Sequence, residues 1–256
     1  MKVTLITVAY NSAKTIRKTL ESIAAQDYPD IEHIVVDGAS KDNTVEIVKE
    51  FQHVKKLISE PDKGMWDGLN KGLALAEGGI IGMLNSDDVY ADNTIVSKVV
   101  AAFKAHQVDT IFGDIQFVST KDPSKVVRYY SSKHFHPSKF RYGYMPAHPS
   151  FFVKREVYEK YGHFKADYKI AADYDLMIRF LKVHQVSYKY LDLMMVNMLI
   201  GGMSNDSLKS IYILNKEIVR TCRENGIYTN LLIVSLKYFR KVFELIQPGK
   251  KTVAHA

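Results

Sequence analysis

The sequence predicts a single α/β domain built on a mostly parallel central sheet flanked by helices, followed by a helical extension at the C-terminus. Three observations lead to this prediction. Strand and helix patterns alternate through the first hundred residues, which is typical of parallel strands joined by right-handed crossovers. The run from Ile80 to Leu84 is apolar at successive positions, as in a strand covered on both faces. Polar loops follow these strands, at the edge where open α/β sheets usually bind ligands.

The elements of the first half follow from local patterns. β-branched residues predict a strand over residues 3–9, after which Asn11-Ser12 are expected to cap a helix with Ile16, Leu20 and Ile23 on one face. Further strands are expected at residues 31–36, 57–59 and 80–84, and further helices after an Asp42-Asn43 cap and over residues 65–76. This spacing indicates a series of strand–helix units that leads to Asn85.

The chain changes character after residue 106. Residues 110–118 and 126–130 are expected to pair as a hairpin, and a helix is expected to begin near Ala171. Two more helices are expected over residues 206–224 and 230–246. The last one carries an apolar stripe beside basic residues, formed by Leu232, Leu236, Phe239, Phe243 and Ile246. This helix either packs on the domain or lies on an anionic membrane surface.

Composition bounds the class of protein and its partners. The chain has 256 residues, of which 46% are hydrophobic and 25% charged, as in ordinary globular proteins. The single Cys222 excludes an internal disulfide framework and a cysteine-based metal site, and it fits a reducing compartment. We find no signal peptide and no apolar run of about 18 residues, so a cytoplasmic location is expected. The net charge of +7 favours anionic partners such as nucleotides, phosphates, acidic lipid or nucleic acid.

The loop after the first strand lacks the common nucleotide-binding fingerprints. Residues 7–12 contain neither Gly-x-Gly-x-x-Gly nor a phosphate-binding P-loop, which disfavours a dinucleotide oxidoreductase and a P-loop ATPase. Tyr10 stands there instead, either as a platform for a base or as ordinary packing. The helix that follows presents an N-terminus that can face phosphate.

Asp87 and Asp88 are adjacent carboxylates that follow the apolar strand at residues 80–84. In a crevice they repel each other and call for a cation, and oxygen ligands of this kind suit Mg²⁺ or Mn²⁺. The alternative is a solvated turn with an aspartate helix cap. Other parts of the chain must decide between the two interpretations.

Three motifs follow one another along the chain, namely Val8-Ala9-Tyr10-Asn11-Ser12, the stretch from Ile34 to Thr44, and Leu84-Asn85-Ser86-Asp87-Asp88. Together they resemble the family-2 inverting glycosyltransferases of the GT-A fold, a Rossmann-like architecture. The similarity covers roughly residues 2 to 200, about three quarters of the chain. The branch that it resembles makes bacterial surface polysaccharides such as colanic acid and capsule. Its members couple a nucleotide-activated sugar, here expected to be UDP-linked, to an acceptor hydroxyl.

The resemblance implies which residues bind the donor. Ala9, Tyr10 and Asp37 inherit contacts with the base and ribose, although many relatives carry Asp-Asp where this chain has Asp37-Gly38. The stretch from Glu60 to Lys71 resembles the donor-side loop and helix, which implies nucleotide contacts for Asp67, Asn70 and Lys71. The alternative for Asp67 and Lys71 is an exposed ion pair.

The resemblance also implies the metal site and the catalytic group. Asp87 is expected to ligate Mn²⁺ or Mg²⁺ directly, with Asp88 in a second or water-mediated role and Asn85 and Ser86 on the donor. Asp173 occupies the second position of the family's Glu-Asp motif, where an aspartate acts as general base, while Ala172 replaces the usual glutamate. The alternative for Asp173 is a helix cap. Asp114, His148 and Ser204 are expected to contact the acceptor or the diphosphate, and His148 is as readily a structural histidine.

These inferences define an expected domain plan and two rival functions. Residues 1–106 form the nucleotide-sugar-binding half, residues 107–200 the acceptor-binding and catalytic half, and residues 201–256 the C-terminal extension. The expected acceptor is a glycan or a polyprenyl-diphosphate-linked sugar. A nucleotidyltransferase of similar fold and a non-catalytic basic binder of nucleic acid are the rivals. The second is disfavoured because the acidic motifs would repel phosphate without a metal.

Overall fold

The computed structural model describes residues 1–200 and 207–238. Within them the chain forms one sheet of nine strands in the order β3-β2-β1-β4-β8-β6-β9-β5, with β7 paired to β6 off this path. The strands are β1 (Val3–Ala9), β2 (Ile31–Asp37), β3 (Val54–Ser59), β4 (Ile80–Met83), β5 (Asp88–Tyr90), β6 (Thr110–Val118), β7 (Val126–Tyr130), β8 (Phe152–Lys154) and β9 (Tyr188–Leu199). The sheet sets the carboxyl ends of β1 to β4 along one edge.

The first half of the sheet is parallel, as the alternation of strand and helix predicts. β1 lies between β2 and β4 and runs parallel to both, and β2 runs parallel to β3. All seven residues of β1 are buried, because helices cover both faces of this part of the sheet.

The second half is mixed, which the sequence does not predict. β8 runs antiparallel to both β4 and β6, while β9 runs parallel to β6 and antiparallel to β5. The β6–β7 hairpin is present as predicted. Because β5 and β8 have only three residues each, neither carries enough periodicity to be recognised in the sequence.

Eight α-helices lie in the described part of the chain. They are α1 (Ile16–Ala24), α2 (Thr44–Lys49), α3 (Met65–Leu75), α4 (Ile95–His106), α5 (Arg155–Tyr161), α6 (Ala172–Ile178), α7 (Leu208–Glu224) and α8 (Leu231–Ser235). The prediction that Asn11-Ser12 cap α1 is wrong. Thr15 directly precedes the helix and makes no side-chain cap, and the Ser12 carbonyl accepts hydrogen bonds in the turn before the helix. Asp42 does accept a hydrogen bond from the Thr44 N–H at the start of α2.

Side chains of the sheet alternate between two apolar layers. Ile6 and Val8 of β1 belong to one apolar cluster with residues of α3, α6 and α7, whereas Val3 and Leu5 belong to a second cluster with residues of α4. Buried residues of α1 and α2 form a third cluster with Ala9 and Val35. α3 and α6 therefore lie on the same face of the sheet, and the candidate site lies between them.

The helix α7 belongs to the predicted C-terminal extension, yet it shares the core of the preceding domain. Ile218 and Cys222 join the cluster that contains α3 and α6. The Thr221 hydroxyl donates to Asp175 on α6 over 2.8 Å, and Arg179 binds the same carboxylate, so α7 and α6 are joined through a buried carboxylate. The predicted boundary at residue 201 lies outside the described residues. None of the helices in the described ranges has the length and apolar character needed to cross a membrane.

Candidate active site

The loops that follow β1, β2 and β4 are tied together at the carboxyl edge of the sheet. The Ser40 hydroxyl accepts from the Asn11 N–H at 2.7 Å, and the Asn11 side chain accepts from the Lys41 N–H at 2.8 Å. The hydroxyls of Ser12 and Ser86 lie 2.8 Å apart. The three motifs that were quoted from the sequence thus meet in one place.

The β1 loop presents an aromatic ring to solvent. Tyr10 is 62% exposed, whereas Ala9 before it is buried at the end of β1. Asn11 has a φ of 49°, which is uncommon outside glycine and turns the chain sharply after the ring. Tyr10 is therefore not a core residue, and its ring is accessible to a planar ligand.

Asp37 at the end of β2 is enclosed rather than open. Its side chain is fully buried, and its carboxylate accepts hydrogen bonds from the Ser40 N–H at 3.0 Å and the Ser59 hydroxyl at 2.7 Å, as well as from the Ser40 hydroxyl. These bonds hold the β2 and β3 loops together. A contact between Asp37 and a nucleotide would require one of them to be exchanged.

Asp62 is a carboxylate at this edge that sequence reasoning did not single out. A Cβ atom placed on Gly38 would lie 2.7 Å from Asp62 Oδ2, so the Asp62 carboxylate stands where a side chain at position 38 would point. Its other oxygen accepts from the Gly64 N–H at 2.9 Å. The signal in the sequence was the combination of a glycine at position 38 with an aspartate in the loop after β3.

The polar face of α3 is largely occupied by structural contacts. Lys71 lies 2.8 Å from Glu60 and donates to the Pro61 carbonyl, while Asp67 lies 3.8 Å away from it. The Asn70 side chain forms two hydrogen bonds with the backbone of Phe164, so its predicted nucleotide contact stays a prediction that these bonds do not support. Residues 60–71 thus form a braced loop and helix beside the site.

Asp88 carries the least satisfied polar atom of the site. Its side chain is 1% exposed, and its Oδ2 has no hydrogen-bond partner among the described residues. Burial and the neighbouring charge of Asp87 raise the pKa of Asp88 well above its usual range. Burial also raises the pKa of Asp87. A positive charge beside these carboxyls would oppose both shifts.

This pair fits a divalent cation. Two adjacent carboxylates, one with an unpartnered buried oxygen, offer hard oxygen ligands of the kind that Mg²⁺ and Mn²⁺ prefer. Within residues 1–200 and 207–238 no group of three His, Cys, Asp or Glu side chains is arranged to hold a metal. The remaining ligands would therefore be water or phosphate oxygens.

A pocket beside this pair contains Asp173. It is lined mainly by apolar side chains with three polar ones, namely Met65, Trp66, Leu69, Met83, Asn85, His148, Phe151, Tyr158, Phe164, Asp173, Leu176 and Met177. Asp173 lies in the first turn of α6, but Ala171 occupies the cap position, so the cap interpretation is wrong. The pocket joins the face of α3 to the start of α6.

Asp173 and His148 are neighbours with shifted proton affinities. His148 Nδ1 lies 3.5 Å from Asp173 Oδ2, and the two side chains are 33% and 13% exposed. Burial raises the pKa of Asp173 to about 7. Burial lowers the pKa of His148 to about 4, although the charge of Asp87 opposes this shift, so the imidazole is neutral at pH 7. A carboxyl with a pKa near the working pH is suited to proton transfer.

Asp114, one of the predicted contact residues, does not line this pocket. Asp114 is buried and accepts hydrogen bonds from the Ser132 N–H at 2.8 Å, the Tyr190 hydroxyl at 2.9 Å and the Tyr129 hydroxyl. The Asp114 carboxylate thus links β7 and β9 to β6, and its predicted acceptor contact stays a prediction. Ser204 lies outside the described residues.

Comparison with known proteins gives this geometry a context. Residues 4–162 match the profile of the family described as Glycosyl transferase family 2. A PGL/p-HBAD biosynthesis glycosyltransferase of Mycobacterium bovis (strain BCG / Pasteur 1173P2) is 26% identical over 245 residues, which cover 93% of this chain and 91% of that protein.

Two solved structures have the same fold. S. aureus TarS 1-349 in complex with UDP-GlcNAc is 19% identical with a TM-score of 0.66, covering 95% of this chain and 73% of that one. The mannosyltransferase PcManGT from Pyrobaculum calidifontis, in complex with GDP-Man and Mn²⁺, is 21% identical with a TM-score of 0.65, covering 96% and 72%. The chain spans 40% of a longer TarS structure.

These likenesses confirm a GT-A-like α/β fold with a mixed sheet. The family profile covers more than half of the residues, and it includes the loops after β1, β2 and β4 that meet at the site. The chain is a glycosyltransferase and belongs to Glycosyl transferase family 2.

Proposed function

We propose that this chain is a metal-dependent inverting glycosyltransferase. It moves a sugar from a nucleoside-diphosphate donor, favoured as UDP-linked, to a hydroxyl of a glycan or lipid-linked acceptor in polysaccharide biosynthesis of the colanic-acid or capsule type. The observation that carries the proposal is the juxtaposition of a buried base candidate, Asp173, with the Asp87-Asp88 pair. His148 lies between them, 3.5 Å from Asp173 and within electrostatic range of Asp87.

The nucleotide end of the donor belongs at the edge formed by the first three loops. Tyr10 offers an exposed ring, and Asp62 Oδ2 offers a carboxylate oxygen near Gly38 that can accept from a base N–H. Asp37 acts on the ribose side of this site indirectly, because its hydrogen bonds fix the loop that follows β2. Nucleotide sugars are bound by both structural neighbours, TarS with UDP-GlcNAc and PcManGT with GDP-Man.

The diphosphate belongs beside Asn85, Ser86 and the two aspartates. Asp88 and Asp87 would hold Mn²⁺ or Mg²⁺, and the unpartnered Oδ2 favours Asp88 as the closer ligand. When bound, such an ion offsets negative charge that develops on the leaving nucleoside diphosphate. PcManGT has been solved with Mn²⁺.

Asp173 acts as the general base in a single displacement. Its ionised carboxylate accepts the proton of the acceptor hydroxyl while that oxygen bonds to the anomeric carbon from the side opposite the diphosphate. The bond to the nucleoside diphosphate breaks in the same step, which inverts the configuration. Neutral His148 beside Asp173 orients the acceptor or the carboxylate without adding a competing positive charge.

We expect nucleoside diphosphates to stabilise the protein only when a divalent metal is present. At about 100 times the Kd, UDP with Mn²⁺ should add roughly 2.7 kcal/mol of stability, or about 5 to 10 °C in Tm. A thermal melt series with UDP, GDP and single-stranded DNA, each with and without Mn²⁺, measures this. Equal stabilisation by DNA without metal would instead support a nucleic-acid binder, and a larger shift with GDP would replace UDP as the favoured donor.

Gly38 and Gly79 provide a matched pair of variants that test where the nucleobase of the donor binds. Gly38→Ala should reduce the UDP-dependent shift because the new methyl group meets the Asp62 carboxylate at 2.7 Å. Gly79→Ala is the control, since a Cβ there meets nothing within 4 Å. Equal UDP-dependent Tm shifts in the two variants would show that Asp62 and Gly38 are not part of the proposed nucleobase site.

We also propose that the C-terminal helix rests on an anionic membrane, where a lipid-linked acceptor would be found. On α8 and just after it, Leu232 is 81% exposed and Leu236 54% exposed, whereas Val234 is buried against the domain. The other members of the predicted stripe, Phe239, Phe243 and Ile246, lie outside the described residues. Leu232 and Leu236, the members of the stripe that lie in the described residues, are therefore exposed to solvent.

The double variant Leu232→Ser and Leu236→Ser should lose binding to vesicles that contain anionic lipid, because it removes part of the apolar face. Sedimentation with vesicles that contain phosphatidylserine, an anionic lipid of the cytoplasmic leaflet, is the measurement. Leu208→Ser is the matched control, since Leu208 is 86% exposed but lies on α7. Unchanged sedimentation of the double variant would contradict membrane association through this helix.

A further inference from the structure

Glu217 of α7 binds the backbone of the segment just before α6. Its carboxylate accepts hydrogen bonds from three consecutive backbone N–H groups, those of Lys169 at 2.7 Å, Ile170 at 2.9 Å and Ala171 at 2.9 Å. These three amides lie in the segment that leads into α6, outside any helix or strand, so no regular secondary structure supplies their partner. Glu217 supplies that partner from a helix 46 to 48 residues away in sequence.

The same turn is held from the opposite side by α3. The indole N–H of Trp66 donates to the Lys169 carbonyl over 3.3 Å, and Trp66 lines the pocket that contains Asp173. The segment before α6 is therefore fastened by its N–H groups to α7 and by a carbonyl to α3. Asp173 follows Ala171 by two residues, so its direction depends on this segment.

Glu217 also contributes charge to the surroundings of Asp173. Burial is the main cause of the raised pKa of Asp173, the Tyr174 N–H opposes it, and the negative charge of Glu217 adds to it. His148 faces Asp173 from the segment before β8 and is neutral at pH 7. On α6 itself the charge of Asp175 is met by Lys165 and Arg179.

We propose that Glu217 is a positioning residue that orients Asp173 toward the acceptor by fixing residues 169–171. This inference rests on the proposed function, in which Asp173 is the base. Glu217 lies beyond residues 4–162, the part of the chain that matches the family profile. Part of the catalytic geometry is thus supplied by α7.

Glu217→Gln tests the proposal because it keeps the size of the side chain but loses its charge and one acceptor oxygen. We expect kcat to fall about 10- to 100-fold, as for other small misplacements of a reacting group. The acid limb of the kcat/KM profile should move to lower pH, because the charge that raises the proton affinity of Asp173 is gone. The Tm shift caused by UDP with Mn²⁺ should stay as in the wild type.

Glu224→Gln is the matched control on the same helix. Glu224 binds the side chains of Lys165, Tyr168 and Arg220 and none of the backbone amides of residues 169–171. Its loss should lower Tm without moving the pH profile. A wild-type rate, or a lower Tm with an unmoved profile, in Glu217→Gln would overturn the proposal.

Glu217→Asp provides a second variant in case the glutamine variant does not fold. It retains the charge at a shorter reach, so kcat should fall while the acid limb stays near its wild-type pH. Amide hydrogen exchange of residues 169–171 in the wild-type protein should be slow, and fast exchange there would also overturn the proposal. The proposed function fails separately, through retained transfer in a variant of Asp173 itself.

Discussion

Asp173→Asn is expected to lower kcat about 10²- to 10⁴-fold, because general base catalysis typically contributes a factor of that size. The amide has nearly the same shape, so donor binding should persist. Transfer rate, together with the Tm shift caused by UDP and Mn²⁺, is the measurement. Transfer at the wild-type rate would refute Asp173 as the base.

The same substitution is expected to stabilise the folded protein at neutral pH. The pKa of Asp173 is raised from 3.8 to about 7 in the folded state, so the folded protein binds the proton more tightly than the unfolded chain does. Stability therefore decreases as pH rises from about 4 to 7, and the wild type loses at most about 4 kcal/mol over that range. Asparagine does not ionise and avoids this loss.

Chemical denaturation at pH 5 and pH 8 checks the sign. The stability advantage of Asp173→Asn over the wild type should be larger at pH 8. Asp167→Asn is the matched control, because Asp167 is 59% exposed and binds Arg220 at the surface. For the wild-type enzyme the rate should fall below about pH 7, where Asp173 becomes protonated.

Removing either carboxylate of the predicted metal site should have the second largest effect. Asp88→Asn and Asp87→Asn are expected to lower transfer about 10²- to 10³-fold, since stabilising the leaving diphosphate is worth several kcal/mol. The part of the UDP-induced Tm shift that requires Mn²⁺ should disappear. The larger loss is expected for Asp88, whose Oδ2 is buried without a hydrogen-bond partner in the described part of the chain.

A Mn²⁺ titration at constant UDP compares the two variants with the wild type. Asp92→Asn serves as control, since this aspartate lies four residues on, is 49% exposed and binds Thr94. If both site variants respond to Mn²⁺ as the wild type does, the pair is not the metal site. If only Asp87→Asn loses the response, Asp87 is the main ligand, as the family resemblance implies.

The sequence predicts the first half of the fold well because its signals are local. Apolar runs and β-branched residues identify β1 to β4, and the polar residues that end them lie together once the strands are parallel. Tyr10, Asp87 and Asp173 were located in this way and by resemblance to a family. The hairpin of β6 and β7 was predicted for the same reason.

Local sequence patterns do not predict contacts between residues that are far apart along the chain. Asn70 pairs with Phe164 across 94 positions, and Asp114 pairs with Tyr190 across 76. A polar side chain on a predicted helix or strand looks the same in sequence whether it faces a ligand or satisfies a buried backbone group. Both residues were predicted to contact substrate, and the structure shows each of them in hydrogen bonds within the fold.

The sequence by itself determined the family, the parallel half of the sheet and the edge at which the acidic motifs lie, because these depend on residues that are close along the chain. Only the tertiary structure decided which carboxylates are buried, paired or open. Asp37 is enclosed by Ser40 and Ser59, Asp62 stands in front of Gly38, and Glu217 braces the start of α6. Solvation and hydrogen bonding set the proton affinity of a carboxyl, and both are properties of the folded surroundings.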